Sequence, residues 1–563
     1  MDWKSRWEHW KNGATDVAIR EEVSSLTEDQ AQERFSTNLE FGTGGMRGVL
    51  GAGTARMNIY TVRKATQGFA HYIREAGPAA MAAGVAISHD NRRMSREFTM
   101  DVAGVLAANG IKAWVFDSLR PTPELSFAVR ELKCFGGIMI TASHNPPQYN
   151  GYKLYDNSGC QLIPQLSDLV TARINAIDDE LHIRSLTVEQ AGPLIQTIGA
   201  ELDEAYYQAV LAIQLDGGVD KSRLRVVFSP QHGTANIPVR NVLTRLGYDL
   251  VVVEEQANPD PEFSNTRNPN PEDKAAFELA VAKAEACKAD LVITTDPDAD
   301  RLGVAVLRNG KYEYLSGNQG GAILLEYILS QRKARGTLPA NGIVINTIVT
   351  SDLGDRIAKA YGMAVEKTLT GFKFIGSRIH AYEKSGEYTY VFGYEESYGY
   401  LISPIARDKD AIQAVLMMCE AAAYYKSQGK TLMDVLDGIF AQYGYFVEGQ
   451  LAITLEGAAG TARIAEIMKS LRKNPPKELA GVAVAVYEDY STGIRMIGSE
   501  QEAITLPKTD ALKYILNDGS WAAVRPSGTE PKCKFYFCSQ GHSMAEAEKR
   551  LAEMGSYFKQ YAK

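Results

Sequence analysis

The chain has 563 residues, 45% of them hydrophobic and 23% charged, which suits three to four globular domains of about 150 residues and excludes a lone binding module or a disordered chain. Its 60 Lys and Arg against 68 Asp and Glu leave a net charge of −8 spread along the length, so no basic footprint for nucleic acid is present. No apolar stretch approaches the roughly 18 residues that a membrane span needs, and the six cysteines, with no Cys-x-x-Cys pair, read as reduced and mostly buried thiols.

Trp3, Trp7 and Trp10 fall at i, i+4 and i+7, one face of a helix; a docking helix is expected, with a dimer contact as the alternative. Met1 to Asn12 carry acids, bases and tryptophans where a signal peptide has an apolar core, so a cytoplasmic chain is expected. Three times a short apolar run leads through a polar loop into a helical pattern: Val85 to Ser88 into Ser95 to Asn109, Leu224 to Phe228 into Pro238 to Leu246, and Ile343 to Asn346 into Leu353 to Tyr361. Gly110, Gly247 and Gly362 stand just past the last periodic residue, where helices end. Beyond about Tyr445 the pattern changes to strand-like pieces, Leu451 to Leu455, Val482 to Tyr487, Trp521 to Val524 and Lys534 to Cys538, around one helical pattern, and a final helix from Ala545. The expected fold class is α/β, with three similar α/β domains and a smaller C-terminal α+β domain.

In open α/β sheets ligands collect beyond the carboxyl ends of strands, and the unusual polar clusters fall there. After Gly137 to Ile140 comes Thr141-Ala142-Ser143-His144-Asn145-Pro146-Pro147, which lacks the glycines of a hydrolase nucleophile elbow. In an extended segment adjacent side chains point to opposite sides, so His144 is poorly placed as the direct base for Ser143; a plain turn is the competing reading. After the strand Asp290 to Thr294, Asp296, Asp298 and Asp300 repel one another unless a cation sits among them, and all-oxygen ligands select Mg²⁺, Mn²⁺ or Ca²⁺. An EF-hand is excluded by Arg301 and Leu307, and a solvated acidic turn is the alternative. Arg525-Pro526-Ser527-Gly528-Thr529-Glu530-Pro531 offers a guanidinium, hydroxyls and free N–H groups suited to phosphate, or is a plain hairpin turn. Gly393 to Gly399 sets carboxylates and hydroxyls among aromatics, as a polyol site or an edge-of-sheet turn does. The glycine-rich run Phe41 to Gly48 is read as a loop with no strand clearly before it, and it fails as a dinucleotide fingerprint because Arg47 stands where glycine is needed.

Together the loops at 41–48, 141–156, 294–301, 370–376, 393–399 and 525–536 resemble those of the α-D-phosphohexomutases, in the phosphoglucomutase and phosphopentomutase branch, in order and spacing along nearly the whole chain. The resemblance implies four domains around a central cleft: a phosphoserine-loop domain over 1–200, a metal-loop domain over 201–312, a sugar-loop domain over 313–440 and a phosphate-binding C-terminal domain over 441–563. It implies that Ser143 gives and takes the phosphoryl group and, with Asp296, Asp298 and Asp300, holds one Mg²⁺. Arg301 offsets charge, His144 supports the serine, and Lys153 and Lys409 are acid–base candidates of equal standing. Arg47 approaches the phosphoserine or the substrate, Thr370 and Lys373 lie in the loop that distinguishes epimers, and Glu395 and Ser397 meet sugar hydroxyls. Arg525, Ser527, Gly528 and Thr529 clamp the phosphate that is not being transferred.

The implied activity is reversible interconversion of glucose 1-phosphate and glucose 6-phosphate through a bisphosphorylated sugar, with glucose 1,6-bisphosphate as activator. Mannose-accepting relatives carry a histidine shortly after the sugar-loop serine, where this chain has Ser397-Tyr398-Gly399; Tyr394 replaces a glycine usual in some members and leaves pentose phosphates open. Phosphomannomutase or phosphopentomutase activity is therefore the alternative within the class, and a phosphosugar phosphatase or a non-catalytic sensor the alternative outside it. The expected partner is a phosphosugar, with no nucleic acid or membrane, for a monomer or weak dimer.

Overall fold

The computed structural model describes residues 1–42, 44–455, 457–526 and 532–562. The chain divides into two compact units, one made of Met1–Ser316, Phe372–Gly393 and Ser397–Thr431, the other of Gly317–Gly371, Tyr394–Glu396 and Leu432–Lys563.

In the first unit a six-stranded sheet is built from β1 (Gly45–Val49), β2 (Val85–His89), β3 (Ala113–Phe116), β4 (Gly136–Ile140), β5 (Tyr149–Asp156) and β6 (Ile195–Ile198), in the order β1-β5-β4-β2-β3-β6. The four strands β4, β2, β3 and β6 run parallel, and β5 and β1 add antiparallel. Every residue of β2 and β4 is buried, as expected of parallel strands covered by helices on both faces. Helix Ile59–Ala76 supplies Val62, Ala65, Phe69 and Ile73 from one stripe to the core that holds Val85, Ile87, Ile138 and Ile140. Its start is fixed by Asn58 and Thr61, which satisfy each other's backbone N–H groups. Gly68 has to be glycine: a Cβ there would stand 2.3 Å from the side chain of Ile174 in helix Pro164–Asn175.

The same unit holds a second sheet of β7 (Arg225–Ser229), β8 (Asp249–Val252), β9 (Leu291–Thr295), β10 (Leu302–Arg308) and β11 (Lys311–Tyr314), ordered β11-β10-β9-β7-β8. Its three parallel strands again end in loops, and the antiparallel β10 returns directly from the acidic one. The expected N-terminal docking helix is observed as Trp3–Gly13. Trp10 is buried edge-on against Phe35 and Tyr60, with its indole N–H donated to Glu180 at 3.0 Å.

In the second unit β12 (Gly342–Thr347) pairs in parallel with β13 (Ala364–Thr368). Further along the chain come β14 (Thr389–Glu395) and β15 (Gly399–Leu401). The C-terminal part is an antiparallel sheet of β16 (Tyr445–Thr454), β17 (Glu478–Leu479), β18 (Val482–Asp489), β19 (Ile494–Ile497), β20 (Glu500–Ala503), β21 (Leu512–Leu516), β22 (Trp521–Pro526) and β23 (Lys532–Gly541). Helices Gly457–Lys473 and Met544–Phe558 bury Ile467, Leu471, Met554 and Phe558 on one face of this sheet, against Leu512, Val524 and Phe535. Gly110, Gly247 and Gly362 all take the left-handed conformation that closes a helix, at φ 73°, 79° and 77°. Among the described residues no helix is long and apolar enough to cross a membrane.

Candidate active site

Strand β4 delivers Thr141, Ala142 and Ser143 to its carboxyl end, where the backbone turns sharply. Ser143 is left-handed, at φ 51°. A non-glycine residue held there costs about 1–3 kcal/mol, a strain that collects at functional sites. The turn is held locally by the Ser143 amide, which donates to Thr141 Oγ1 at 2.8 Å, and by the Asn145 amide, which donates to the Ala142 carbonyl at 3.1 Å. The Ser143 side chain is almost closed off, and its hydroxyl donates to Asp296 Oδ2 at 2.7 Å. His144 is where the extended-segment reasoning failed. Because the positive φ of Ser143 breaks the alternation of side chains, His144 Nδ1 lies 3.3 Å from Ser143 Oγ. Burial, with Arg301 and Arg47 nearby, holds the His144 imidazole well below the usual histidine range, so it is neutral across physiological pH.

The acidic loop joins β9 to β10. Ala299 is also left-handed, at φ 57°, and the Asp300 and Arg301 amides both donate to Asp296 Oδ1 at 3.0 Å. All three aspartates are buried, with ligand oxygens within 4.8 Å of one another. Asp298 Oδ2 accepts from Thr122 Oγ1 and from Lys153 Nζ, each at 2.8 Å. Lys153 also lies 3.5 Å from Asp300 Oδ2, and Lys409 Nζ sits 2.9 Å from that oxygen. Burial, followed by the charges of Asp300 and Asp298, pushes Asp296 well above the usual carboxylate range. Burial opposes ionisation of Asp298 too, but Lys153 overcomes it and holds this carboxyl well below the usual range. Lys153 in turn stays above the ordinary lysine range, because Asp298 and Asp300 outweigh its burial.

Oδ1 of Asp298 and Oδ1 of Asp300 are buried with no hydrogen-bond partner. Such oxygens are costly unless a cation meets them. An all-oxygen donor set with two unsatisfied buried oxygens fits a hard divalent ion, and Asp296, Asp298 and Asp300 are the residues that would hold it.

Around this centre Arg301 pairs with Glu272, and its Nε lies 3.8 Å from Asp300. The run 41–48 is not all loop. Residues 45–49 form β1, because β5 offers an open edge for it, and this sets Arg47 opposite Gly151, two residues from Lys153. Arg47 Nη1 donates to Asn145 Oδ1 at 2.7 Å. The sequence reading missed Thr122, which fixes Asp298, and Asp408, which accepts from Tyr155 Oη at 2.8 Å beside Lys409. It also missed Asp90 and Arg92, although the polar run His89-Asp90-Asn91-Arg92 follows a buried strand as the other clusters do.

Lys373 lies in helix Phe372–Ser385, largely buried, with Nζ 5.6 Å from the Phe374 ring. Ser397 occupies the turn before β15, next to Tyr398 at φ 67°. In the second unit Glu395 ends β14, and its Oε1 accepts from the Gly371 amide at 2.7 Å, tying the end of this strand to the Thr370-Gly371 bend. Arg525 is on β22 opposite Lys534 of β23. Ser527, Gly528 and Thr529 lie outside the described residues.

Comparison with known proteins gives a consistent picture. Residues 38–181, 204–310 and 316–443 match the three α/β/α domains of phosphoglucomutase/phosphomannomutase, and residues 462–557 match its C-terminal domain. The chain is 40% identical over 534 residues to a phosphoglucomutase of Staphylococcus epidermidis, covering 94% of this chain and 95% of that one. It is 38% identical over 545 residues to the phosphoglucomutase of Staphylococcus saprophyticus, covering 95% and 97%. Two solved structures share the fold. One is the open form of the phosphoprotein pp63/parafusin from Paramecium (TM-score 0.69, 19% identity, 93% and 94% covered). The other is a phosphoglucomutase/phosphomannomutase family protein from Burkholderia thailandensis (TM-score 0.67, 18% identity, 92% and 97% covered).

Proposed function

The chain belongs to the phosphoglucomutase/phosphomannomutase family, and from that premise we propose that it interconverts glucose 1-phosphate and glucose 6-phosphate through a phosphoserine at Ser143 and a bisphosphorylated sugar. The observation that supports the serine most is its strained, enclosed hydroxyl 2.7 Å from Asp296. In the forward half-reaction a sugar hydroxyl attacks phosphorus, the bond from phosphorus to Ser143 Oγ breaks, and the serine oxygen leaves. The hydroxyl's proton is taken by a neutral amine, so whichever of Lys153 and Lys409 serves as base first gives up its own proton; both Nζ atoms lie within 3.5 Å of Asp300 Oδ2, which supports either in this role. His144 supports Oγ as a neutral imidazole, and Arg301 and Arg47 offset charge near the transferred group. Mg²⁺, when bound to the three aspartates, supplies electrostatic stabilisation of the charge on the transferring phosphoryl group.

On this reading Glu395, Ser397, Thr370 and Lys373 recognise the sugar, and Arg525, Ser527, Gly528 and Thr529 grip the second phosphate. Domain limits at 1–200, 201–312, 313–440 and 441–563 go with these roles, as do a cytoplasmic location and a monomer or weak dimer. The missing histidine after Ser397 favours glucose over mannose phosphates.

A coupled assay with glucose 1-phosphate and Mg²⁺ tests the proposal. Glucose 6-phosphate should form without matching phosphate release, and faster than the corresponding products from mannose or ribose 1-phosphate. Stoichiometric phosphate release would make the protein a phosphatase. Enzyme shown by mass to lack phosphate on Ser143 should stay silent until glucose 1,6-bisphosphate is added; no effect of the bisphosphate would rule out the bisphosphorylated sugar as the intermediate. Arg525→Ala should raise KM for both hexose phosphates by roughly 10- to 150-fold, which is the loss of a charge-assisted contact of about 1.5–3 kcal/mol. Unchanged kinetics for glucose 1-phosphate would remove the clamp assignment.

A further inference from the structure

The turn that presents Ser143 has no glycine at its strained position, so the surroundings must impose the conformation. Arg92, at the carboxyl end of β2, lies beneath the turn with a side chain that is 0% exposed. Its Nη2 donates to the carbonyls of Ser143 and Asn145, each at 2.5 Å, and its Nη1 to those of Pro146 and Tyr149 at 2.8 and 3.0 Å. One guanidinium thus draws four carbonyls of the serine loop toward a single charge.

Asp90 completes the device. Its Oδ2 is 3.2 Å from Arg92 Nε and accepts from Thr141 Oγ1 at 2.6 Å, and its Oδ1 accepts from the Arg92 amide at 2.9 Å and from Ser95 Oγ at 2.8 Å. Thr141 Oγ1 in turn accepts from the Ser143 amide. Both polar backbone atoms of Ser143 are therefore held by one buried ion pair, the amide through Thr141 and Asp90, the carbonyl by Arg92. A buried ion pair adds little to stability against an apolar replacement, so its presence here calls for another purpose. Lysine could not replace the arginine, because a point charge cannot span four acceptors as a planar fork does.

We propose that Arg92 is a positioning residue for phosphoryl transfer: with Asp90 and Thr141 it locks the Ser143 peptide in the left-handed conformation that aims Oγ at Asp296. The proposal rests on the reading of Ser143 as the phosphoryl carrier. Arg92 acts through the backbone, so its loss should slow chemistry and leave sugar binding alone.

The test compares Arg92→Lys, Thr141→Val and Ser143→Ala with the wild type. Arg92→Lys should lower kcat for glucose 1-phosphate, and the rate at which glucose 1,6-bisphosphate phosphorylates Ser143, by the same factor of about 100, the effect of a misplacement near 1 Å. KM should move less than threefold, and amide exchange in residues 141–149 should quicken while that of β2 does not. Thr141→Val, which keeps the side-chain volume and removes the hydroxyl, should show the same pattern at about thirtyfold, the worth of the two hydrogen bonds that the hydroxyl makes; it carries the test alone if Arg92→Lys does not fold. Wild-type kcat in the folded variants, with Ser143→Ala inactive, would overturn the positioning role and leave the serine assignment standing. A rise in KM at constant kcat would overturn it as well. An active Ser143→Ala would overturn the serine assignment itself and this proposal with it.

Discussion

Ser143→Ala should reduce mutase turnover on the order of 10⁴-fold or more, the usual cost of losing an obligatory nucleophile. The fold should survive. Only one hydroxyl is removed, alanine suffers no more than serine does at φ 51°, and the loop remains held by Thr141 and Arg92. The lost Oγ donor to Asp296 costs about 1 kcal/mol by itself, so the melting temperature should shift by a few degrees at most. Steady-state kinetics and a melting curve check both halves. Residual activity above about a tenth of wild type would sink the covalent mechanism, because no other group could replace a nucleophile at that efficiency.

Removing the divalent metal should have the second-largest effect. Three buried carboxylates converge within 4.8 Å, and Lys153 and Lys409 still leave one oxygen of Asp298 and one of Asp300 unsatisfied. Exhaustive EDTA treatment should therefore cut turnover by about 10³-fold, matching several kcal/mol of lost charge stabilisation, and Mg²⁺ should restore it. Thermal stability should rise with added Mg²⁺, by about 2.7 kcal/mol at a hundred times Kd, because only the folded chain assembles the three aspartates. Asp298→Asn should lose both responses together. Full speed after chelation would show that the aspartate cluster does not serve through a metal.

The chemistry-bearing loops were legible because their signals are local. Each sits at the end of a strand whose apolar run is itself readable, and three carboxylates at alternate positions after a buried strand point to a cation or a solvated acidic turn, a choice that their burial in the fold narrows. The three helix-ending glycines were equally plain, since few other residues accept that backbone conformation. Strands β19 and β20 were not legible: they are four residues each, and β20 is exposed along its whole length, so no apolar period marks it.

What the sequence by itself determined, then, was the inventory: an α/β chain with a strand-end serine, an aspartate triplet and an arginine at the head of a short polar run between two strands. Tertiary structure alone decided the relations among them. Ser143 and Asp296 stand 153 positions apart in the chain, yet share a hydrogen bond because β4 and β9 end at the same centre. Lys153 and Lys409 meet on Asp300 through strand and loop positions that no spacing rule connects. His144 reaches Ser143 only because the serine takes a positive φ, and that φ is set by Thr141, Asp90 and Arg92, contributed by the loops that follow two strands. Local sequence encodes which groups are present and which element carries them; direction and distance between groups come from packing, where one strained dihedral can reverse what an extended chain would do.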